Sequence, residues 1–210
     1  QRLRDVPTKF LVTRVTAGTS IPVDTITDET SPYFGYPTSF QIEIVTDLTT
    51  EPVTLQEAKD YMRISSESEN DLIEELITSA RERIEKFTGL SLGDKTLRAY
   101  WFYFHIPQEI PYGPVTLIDS VVNDDDVALE YTARGLQYKM LEAYSTVGLT
   151  IEYEAGFAVA PKGLKLAILK QVSTDYENRE NYSIYDQAYE LSSDAKRQAQ
   201  PYCRNTLFGI

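Results

Sequence analysis

At residue 97 the hydrophobic period of this chain changes from helical to alternating, and that switch limits the fold more than any other feature. Upstream, Leu72, Ile73, Leu76, Ile77, Ala80, Ile84 and Phe87 recur three and four residues apart, the spacing that lines one face of an α-helix. Ser68, with Asp71 three residues later, offers an N-terminal cap, and Gly89 stands at a plausible C′ position, so the spacing predicts a helix over about 69–88. Downstream, residues 97–106 hold Tyr100, Trp101, Phe102, Tyr103 and Phe104, an aromatic run that suits a pleated strand.

The same reading extends to both sides. Residues 40–45 alternate as a strand, and Thr54 with Glu57 forms a capping box that starts a short helix running to about Arg63. Pro111, Gly113 and Pro114 mark a turn before a strand at 115–122, and residues 123–126 form a polar turn. Three short strands follow at 128–131, 136–141 and 149–154, closed by Gly156. Pro161 opens a helix whose stripe is Leu164, Ala167, Ile168, Gln171, Val172 and Tyr176, fading near Glu180. A last, polar helical segment covers about 192–206 and is broken by Pro201. Residues 1–40 are rich in Thr, Pro, Gly and Ser, with β-type runs only at 10–15 and 21–26. They carry few apolar side chains to offset the entropy of ordering, so a neighbour must order them. The expected fold is α+β: a helical core of about four helices with an inserted antiparallel β region and an extended N-terminal arm. The expected division is 1–40 arm or small β extension, 41–180 main domain, and 181–210 C-terminal helical tail.

Charge narrows the function. There are 32 acidic against 20 basic residues, a net charge of −12, which argues against gripping nucleic acid by its phosphates. It fits a surface that lets DNA pass without sticking, and equally fits plain solubility. No apolar run approaches the roughly 20 residues a membrane span needs. Residues 1–10 mix Arg, Asp and Lys and show no signal-peptide pattern; with Gln1 first, something upstream is expected to be missing. Cys203 is the single cysteine, so no internal disulfide or thiolate cluster forms within one chain, in keeping with a protein made in a reducing cytoplasm.

Reactive constellations are few. His105, the single histidine, sits within the aromatic run, where a half-buried strand needs a polar edge more often than a catalyst. Asp124, Asp125, Asp126 and Glu130 are hard oxygen ligands, but they lack the alternating spacing and the Gly of a calcium loop, so a solvated turn is the better reading. No spacing fits a zinc site, no carboxylate pair stands out for hydrolysis, and each glycine is isolated from any phosphate-binding loop. Catalytic, cofactor-binding and metal-ligating residues are therefore expected to be absent. The 15 tyrosines are unusual, and Tyr176, Tyr182, Tyr185, Tyr189 and Tyr202 cluster. Tyr suits protein–protein contacts as well as an amphipathic helix facing its own core.

Three segments, taken in order, carry a resemblance. Residues 42–64 read IEIVTDLTTEPVTLQEAKDYMRI, residues 70–88 read NDLIEELITSARERIEKFT, and residues 151–180 read IEYEAGFAVAPKGLKLAILKQVSTDYENRE. The first two resemble the opening of the phage head–tail connector (head-completion adaptor) family: a strand, Pro-Val-Thr-Leu-x-Glu-Ala-Lys, a short helix, an acidic bend and a longer helix. The third is similar to that family's later block, here Tyr153, Ala155, Gly156, Phe157, Pro161 and then the helix closing at 176–180. The arm and the Tyr-rich tail depart from the pattern.

The resemblance implies a structural virion protein: a homo-oligomeric ring of twelve copies at the neck, assembled in the host cytoplasm, joining the portal protein to a tail-proximal protein (a stopper, tail tube or nozzle). Genomic DNA would pass through the lumen unread, and no membrane would be involved. Within that expectation Tyr202, Arg204, Leu207 and Phe208 are candidate contacts to the portal or a neighbour. Glu67, Glu69, Asp71, Glu74 and Glu75 are candidate channel-facing acids. Thr54, Glu57, Gly156, Pro161 and Arg179 read as structural. The alternatives are a receptor- or carbohydrate-binding module using the aromatic run at Trp101, and a carboxylate hydrolase.

Overall fold

The computed structural model describes residues 40–102, 106–136, 138–145, 148–178 and 191–203. Within them the chain runs β1 (Phe40–Thr46), α1 (Leu55–Met62), α2 (Asn70–Thr88), β2 (Lys95–Trp101), β3 (Gln108–Glu109), β4 (Val115–Asn123), β5 (Tyr131–Arg134), β6 (Met140–Ala143), β7 (Leu149–Ala155), α3 (Lys162–Glu177) and α4 (Ser193–Ala199), with a 3-10 turn at Gln200–Tyr202. The architecture is α+β, with four helices and antiparallel sheets, as the change of period implies.

Each helix boundary has a local cause. At α1 the Thr54 hydroxyl accepts the Glu57 amide at 3.2 Å, while Glu57 accepts the Thr54 amide at 2.8 Å. That capping box satisfies two donors no helical carbonyl can reach, and the Thr54 amide leads the effects that lower the Glu57 pKa. Gly89 ends α2 with φ 68°, the left-handed conformation that favours glycine. The expected Ser68 cap is not made. Its hydroxyl pairs with Ser66 at 2.8 Å, and α2 begins after Glu69 without a side-chain cap. The final helix stops at Ala199 and tightens into the 3-10 turn, because Pro201 has no amide to continue it; residues 204–206 of the expected segment lie outside the described residues.

The helices share one core. Ile73, Ile77, Ala80 and Ile84 of α2 bury against Leu164, Ala167, Ile168 and Val172 of α3, and Ala195 and Ala199 of α4 join them. Full burial of each Ile or Leu is worth about 1.5–3 kcal/mol.

The larger sheet has order β1-β2-β7-β4 and the smaller one β3-β6-β5, all pairings antiparallel. Leu97, Ala99, Trp101, Ile151 and Tyr153 point into a second core, which Ile110, Leu141 and Ala143 complete. Tyr153 donates its buried hydroxyl to the Pro111 carbonyl at 2.7 Å, and burial pushes its pKa well above the ordinary value. On the outer face Arg98 bridges Glu43 at 3.0 Å and Glu152 at 2.8 Å across three strands.

Several expected strands shift. The strand expected at 97–106 ends at Trp101, where its partner β7 begins at Leu149; residues 103–105 lie outside the described residues. At 128–131 only an isolated bridge from Ala128 to Val122 forms, and pairing resumes at Tyr131. The strand expected at 136–141 begins instead at Met140, because Gly135, with φ +119°, leads the hairpin turn. The two-residue β3 was not foreseen, since two residues have no period to read.

The two cores share no residue, and backbone hydrogen bonds hold the segments that run between them. The Ser91 amide donates to the Gly113 carbonyl at 2.9 Å, and the Gly156 amide to the Pro114 carbonyl at 2.9 Å. Gly156 has φ +145°, and a Cβ there would lie 2.1 Å from the Gly93 carbonyl oxygen. Only glycine fits both the conformation and the approach.

Candidate functional site

The period that buries one face of α2 exposes the other. Asp71, Glu74, Glu75 and Glu82 are exposed, and with Thr78 and Ser79 they border a shallow, open depression of about 480 Å³. Glu67 is exposed in the bend before the helix. Glu69 differs from the other candidate acids: it is half-buried, and its carboxylate accepts the Tyr176 hydroxyl, tying the start of α2 to α3. Four of the five acids singled out in the sequence thus present charge to solvent, three of them along one side of α2.

The C-terminal candidates divide likewise. Tyr202 is half-buried against the helical core, so close to the start of α3 that a Cβ on Gly163 would meet its hydroxyl oxygen at 2.4 Å. Tyr176 also packs on that core. For these two tyrosines the ring faces its own chain. Arg204, Leu207 and Phe208 lie outside the described residues, as do Tyr182, Tyr185, Tyr189 and Arg179.

The most elaborate polar constellation was missed in the sequence. Arg81, 1 % exposed, donates from Nε to Glu51 at 2.9 Å and from a terminal nitrogen to Glu85 at 2.9 Å, and reaches Asp47 at 3.4 Å. Lys95 bonds Glu85 at 2.7 Å and Asp47 at 3.1 Å. Glu85 also accepts the Leu92 amide at 2.8 Å, and Glu51 accepts the Thr78 hydroxyl at 2.9 Å. Burial favours the neutral form of Asp47, but the Leu48 amide together with Lys95 and Arg81 outweighs it and holds the carboxyl below its ordinary pKa. Burial likewise opposes the Arg81 charge, and Glu85, Glu51 and Asp47 more than restore it. The network joins the β1–α1 loop, α2 and the start of β2. Two signals in the sequence could have found it. Arg81 and Glu85 stand four apart on the buried side of α2, and Lys95 occupies an inward register of β2 with Leu97, Ala99 and Trp101.

The chemistry weighed in the sequence finds little support in these groups. In the polar turn, Asn123 accepts the Asp125 and Val127 amides at 3.0 and 2.9 Å. Asp124 accepts the Gly148 amide at 3.0 Å. These side chains close the hairpin, and among the described residues no group of three His, Cys, Asp or Glu could hold a metal ion. Burial raises the pKa of the half-buried Cys203 thiol, which disfavours the reactive thiolate. His105 lies outside the described residues. The glycan-platform reading of Trp101 is corrected: its ring is 0 % exposed inside the sheet core, where no sugar can stack on it. Phe102 is exposed instead and meets Tyr100 edge-on at 4.8 Å. Among the described residues no helix is long and apolar enough to cross a membrane.

The model of the family described as phage gp6-like head-tail connector protein matches residues 52–202, from the start of α1 to the end of the 3-10 turn. No curated protein matches the chain. Among solved structures, a chain from the neck of an empty gene transfer agent particle computed with C6 symmetry superposes with a TM-score of 0.63 at 16% identity, covering 81% of this chain and 98% of that one. A chain from the virion of the native gene transfer agent particle gives 0.63 at 16% identity, covering 80% and 98%. One from the neck of the native particle computed with C12 symmetry gives 0.60 at 14% identity, covering 81% and 98%. At these identities the likeness is one of fold.

Proposed function

The chain belongs to the phage gp6-like head-tail connector protein family, and on that premise we propose that it is a structural subunit of a ring in the neck of a phage-type particle. Twelve copies surround the channel, with the portal protein above, a tail-proximal protein below and genomic DNA passing through the lumen. The ring assembles in the host cytoplasm and needs no membrane, cofactor or catalytic group. The observation that carries this reading is the extent of the family match, which takes in the four helices and strands β2 to β7 together. The structural neighbours add support, because they come from neck assemblies with C6 and C12 symmetry and are covered almost end to end.

The physics of the subunit suits a ring. Copies related by rotation about one axis meet through two different patches, and the contact closes only if those patches are complementary. An asymmetric body with a helical side and a sheet side supplies two such patches. The exposed acids Glu67, Asp71, Glu74 and Glu75 face the lumen or a basic neighbour in this arrangement; in the lumen they would repel the DNA backbone and keep it from binding. The C-terminal segment with Arg204, Leu207 and Phe208 is the part that docks on the portal in this reading.

Affinity purification of the tagged protein from infected cells, with mass spectrometry and negative-stain imaging of the product, tests the reading. Rings that carry the portal and a tail-proximal protein support it. A protein absent from purified particles, or recovered on cell-wall material with neither partner, overturns it.

A further inference from the structure

The larger sheet is unfinished at its β1 edge. Phe40, Ile42 and Ile44 pair in register with Trp101, Ala99 and Leu97, so all three point to the core side. Yet Ile44 is 42 % exposed where its partner Leu97 is 3 % exposed, and Val45 beside it is 41 % exposed. Among the described residues no strand lies beyond β1. An edge strand offers alternate amides and carbonyls to any partner, and stable monomers blunt such edges with Pro, Lys or early bulges. The seven residues of β1, FQIEIVT, contain neither Pro nor Lys, and their one register shift falls at the far end, between Ile44 and Thr46.

We propose that residues 10–15 of a neighbouring copy add a strand along β1, so that each arm stitches one subunit of the ring to the next. Three observations single out this occupant. Residues 10–15 read FLVTRV, six residues free of Pro and Gly and rich in β-branched and aromatic side chains, whereas the run at 21–26 contains Pro22 and Asp24. The charges are compatible: Lys9 and Arg14 flank or lie in the segment and no acid occurs from Thr8 to Thr16, while β1 carries no base and one acid, Glu43, which Arg98 already bonds. The chain length also allows it. Residues 16–39, roughly 24 of them, span up to about 80 Å when extended, against a radius of gyration of about 15 Å for a body of this size. Pairing β1 with β1 of a second copy would give an isologous contact that stops at a dimer, whereas arm to edge is heterologous and closes a ring. The inference rests on the ring reading and names the contact that holds it together.

Disulfide trapping tests it in the full chain with Cys203→Ser as background. Gln41→Cys, exposed on the outward side of β1, is combined in turn with Leu11→Cys, Val12→Cys and Thr13→Cys, and assembled particles are oxidised mildly. On a non-reducing denaturing gel, a ladder of covalent multimers for alternate arm positions is expected. Val12→Pro, which removes one amide from the added strand, should abolish the ladder and lower ring yield at least several-fold while leaving thermal unfolding of the body unchanged. Crosslinked monomers alone, no crosslink in particles that do contain rings, or a ladder that survives Val12→Pro would each overturn the arm exchange while leaving the ring intact. Wild-type particles without any ring of this protein would overturn both readings.

Discussion

Replacing Glu85 by Gln should destabilise the folded chain by about 3 kcal/mol, and the size of that effect follows from its surroundings. The carboxylate lies between Arg81 at 2.9 Å and Lys95 at 2.7 Å, whose side chains are 1 % and 4 % exposed. Gln keeps the volume and an oxygen for the Leu92 amide, but leaves two buried cations without the charge between them. Breaking one side of a buried pair costs about 3–5 kcal/mol. Asp47 and Glu51 still touch the cations, though both are partly hydrated, which sets the expectation at the lower end. For a chain of this length 1 kcal/mol moves the melting temperature by about 2–4 °C, so a fall of about 6–12 °C is expected. Urea unfolding at pH 7 measures the free-energy loss and a thermal melt the fall in melting temperature, both followed by far-ultraviolet circular dichroism. Arg98→Ala provides the contrast, since Arg98, Glu43 and Glu152 are partly or largely in water and such pairs contribute about 0–1 kcal/mol. Raising the salt to 1 M, where the screening length is about 3 Å, should erase the Arg98 effect and leave most of the Glu85 effect. A Glu85→Gln loss no larger than that of Arg98→Ala would refute the reasoning and show that the network adds nothing beyond a surface pair.

Trp101→Ala removes a ring buried in the sheet core and should cost about 3–5 kcal/mol, read as a lowered urea midpoint; an unchanged midpoint would return Trp101 to the surface. The Asp47 carboxyl is held below its ordinary value of 3.8 in the fold. Its contribution is therefore present above about pH 4 and lost as pH falls through the lower folded value. Between pH 5 and 2 wild type should lose more stability than Asp47→Asn, and equal losses would contradict the assignment. Changing Asp71, Glu74 and Glu75 together to Lys should leave the fold intact and cut infectious particle yield at least tenfold; normal yield and infectivity would mean that this face meets neither DNA nor a neighbour.

What the sequence made legible follows its periodicities. The stripe of α2, the Thr54–Glu57 box and Gly89 each act within a few residues, and each reads correctly because its partners are local. The β region was readable as strands but not in its pairing. The bounds of β5 and β6 depend on where Gly135 turns the hairpin and on which residues find a partner, and pairing across many residues leaves no local trace. Ser68 failed as a cap for a different, local reason: Ser66, two residues away, pairs with its hydroxyl. Of the candidate contacts, the exposed acids on α2 followed from helical geometry alone. The inward turn of Glu69 depended on Tyr176, more than a hundred residues away, and the Arg81–Glu85–Lys95 centre on three elements converging. Trp101 shows the limit from the other side, since an aromatic run announces a strand without saying which face is dry.

The insertion of strands β2 to β7 between α2 and α3 bears on the order in which the chain can fold. The inserted region enters at Lys95 and leaves at Ala155, and these two residues are direct partners in the β2–β7 ladder. Thr88 at the end of α2 and Lys162 at the start of α3 would otherwise have to find each other across a long unstructured loop, at an entropic cost of about 4 kcal/mol. Once the ladder forms, that loop is already closed and the two helices are delivered side by side. The helical body can thus condense on a β2–β7 ladder already in place. The inserted region can also lengthen or shorten between relatives without moving the point at which it is rooted.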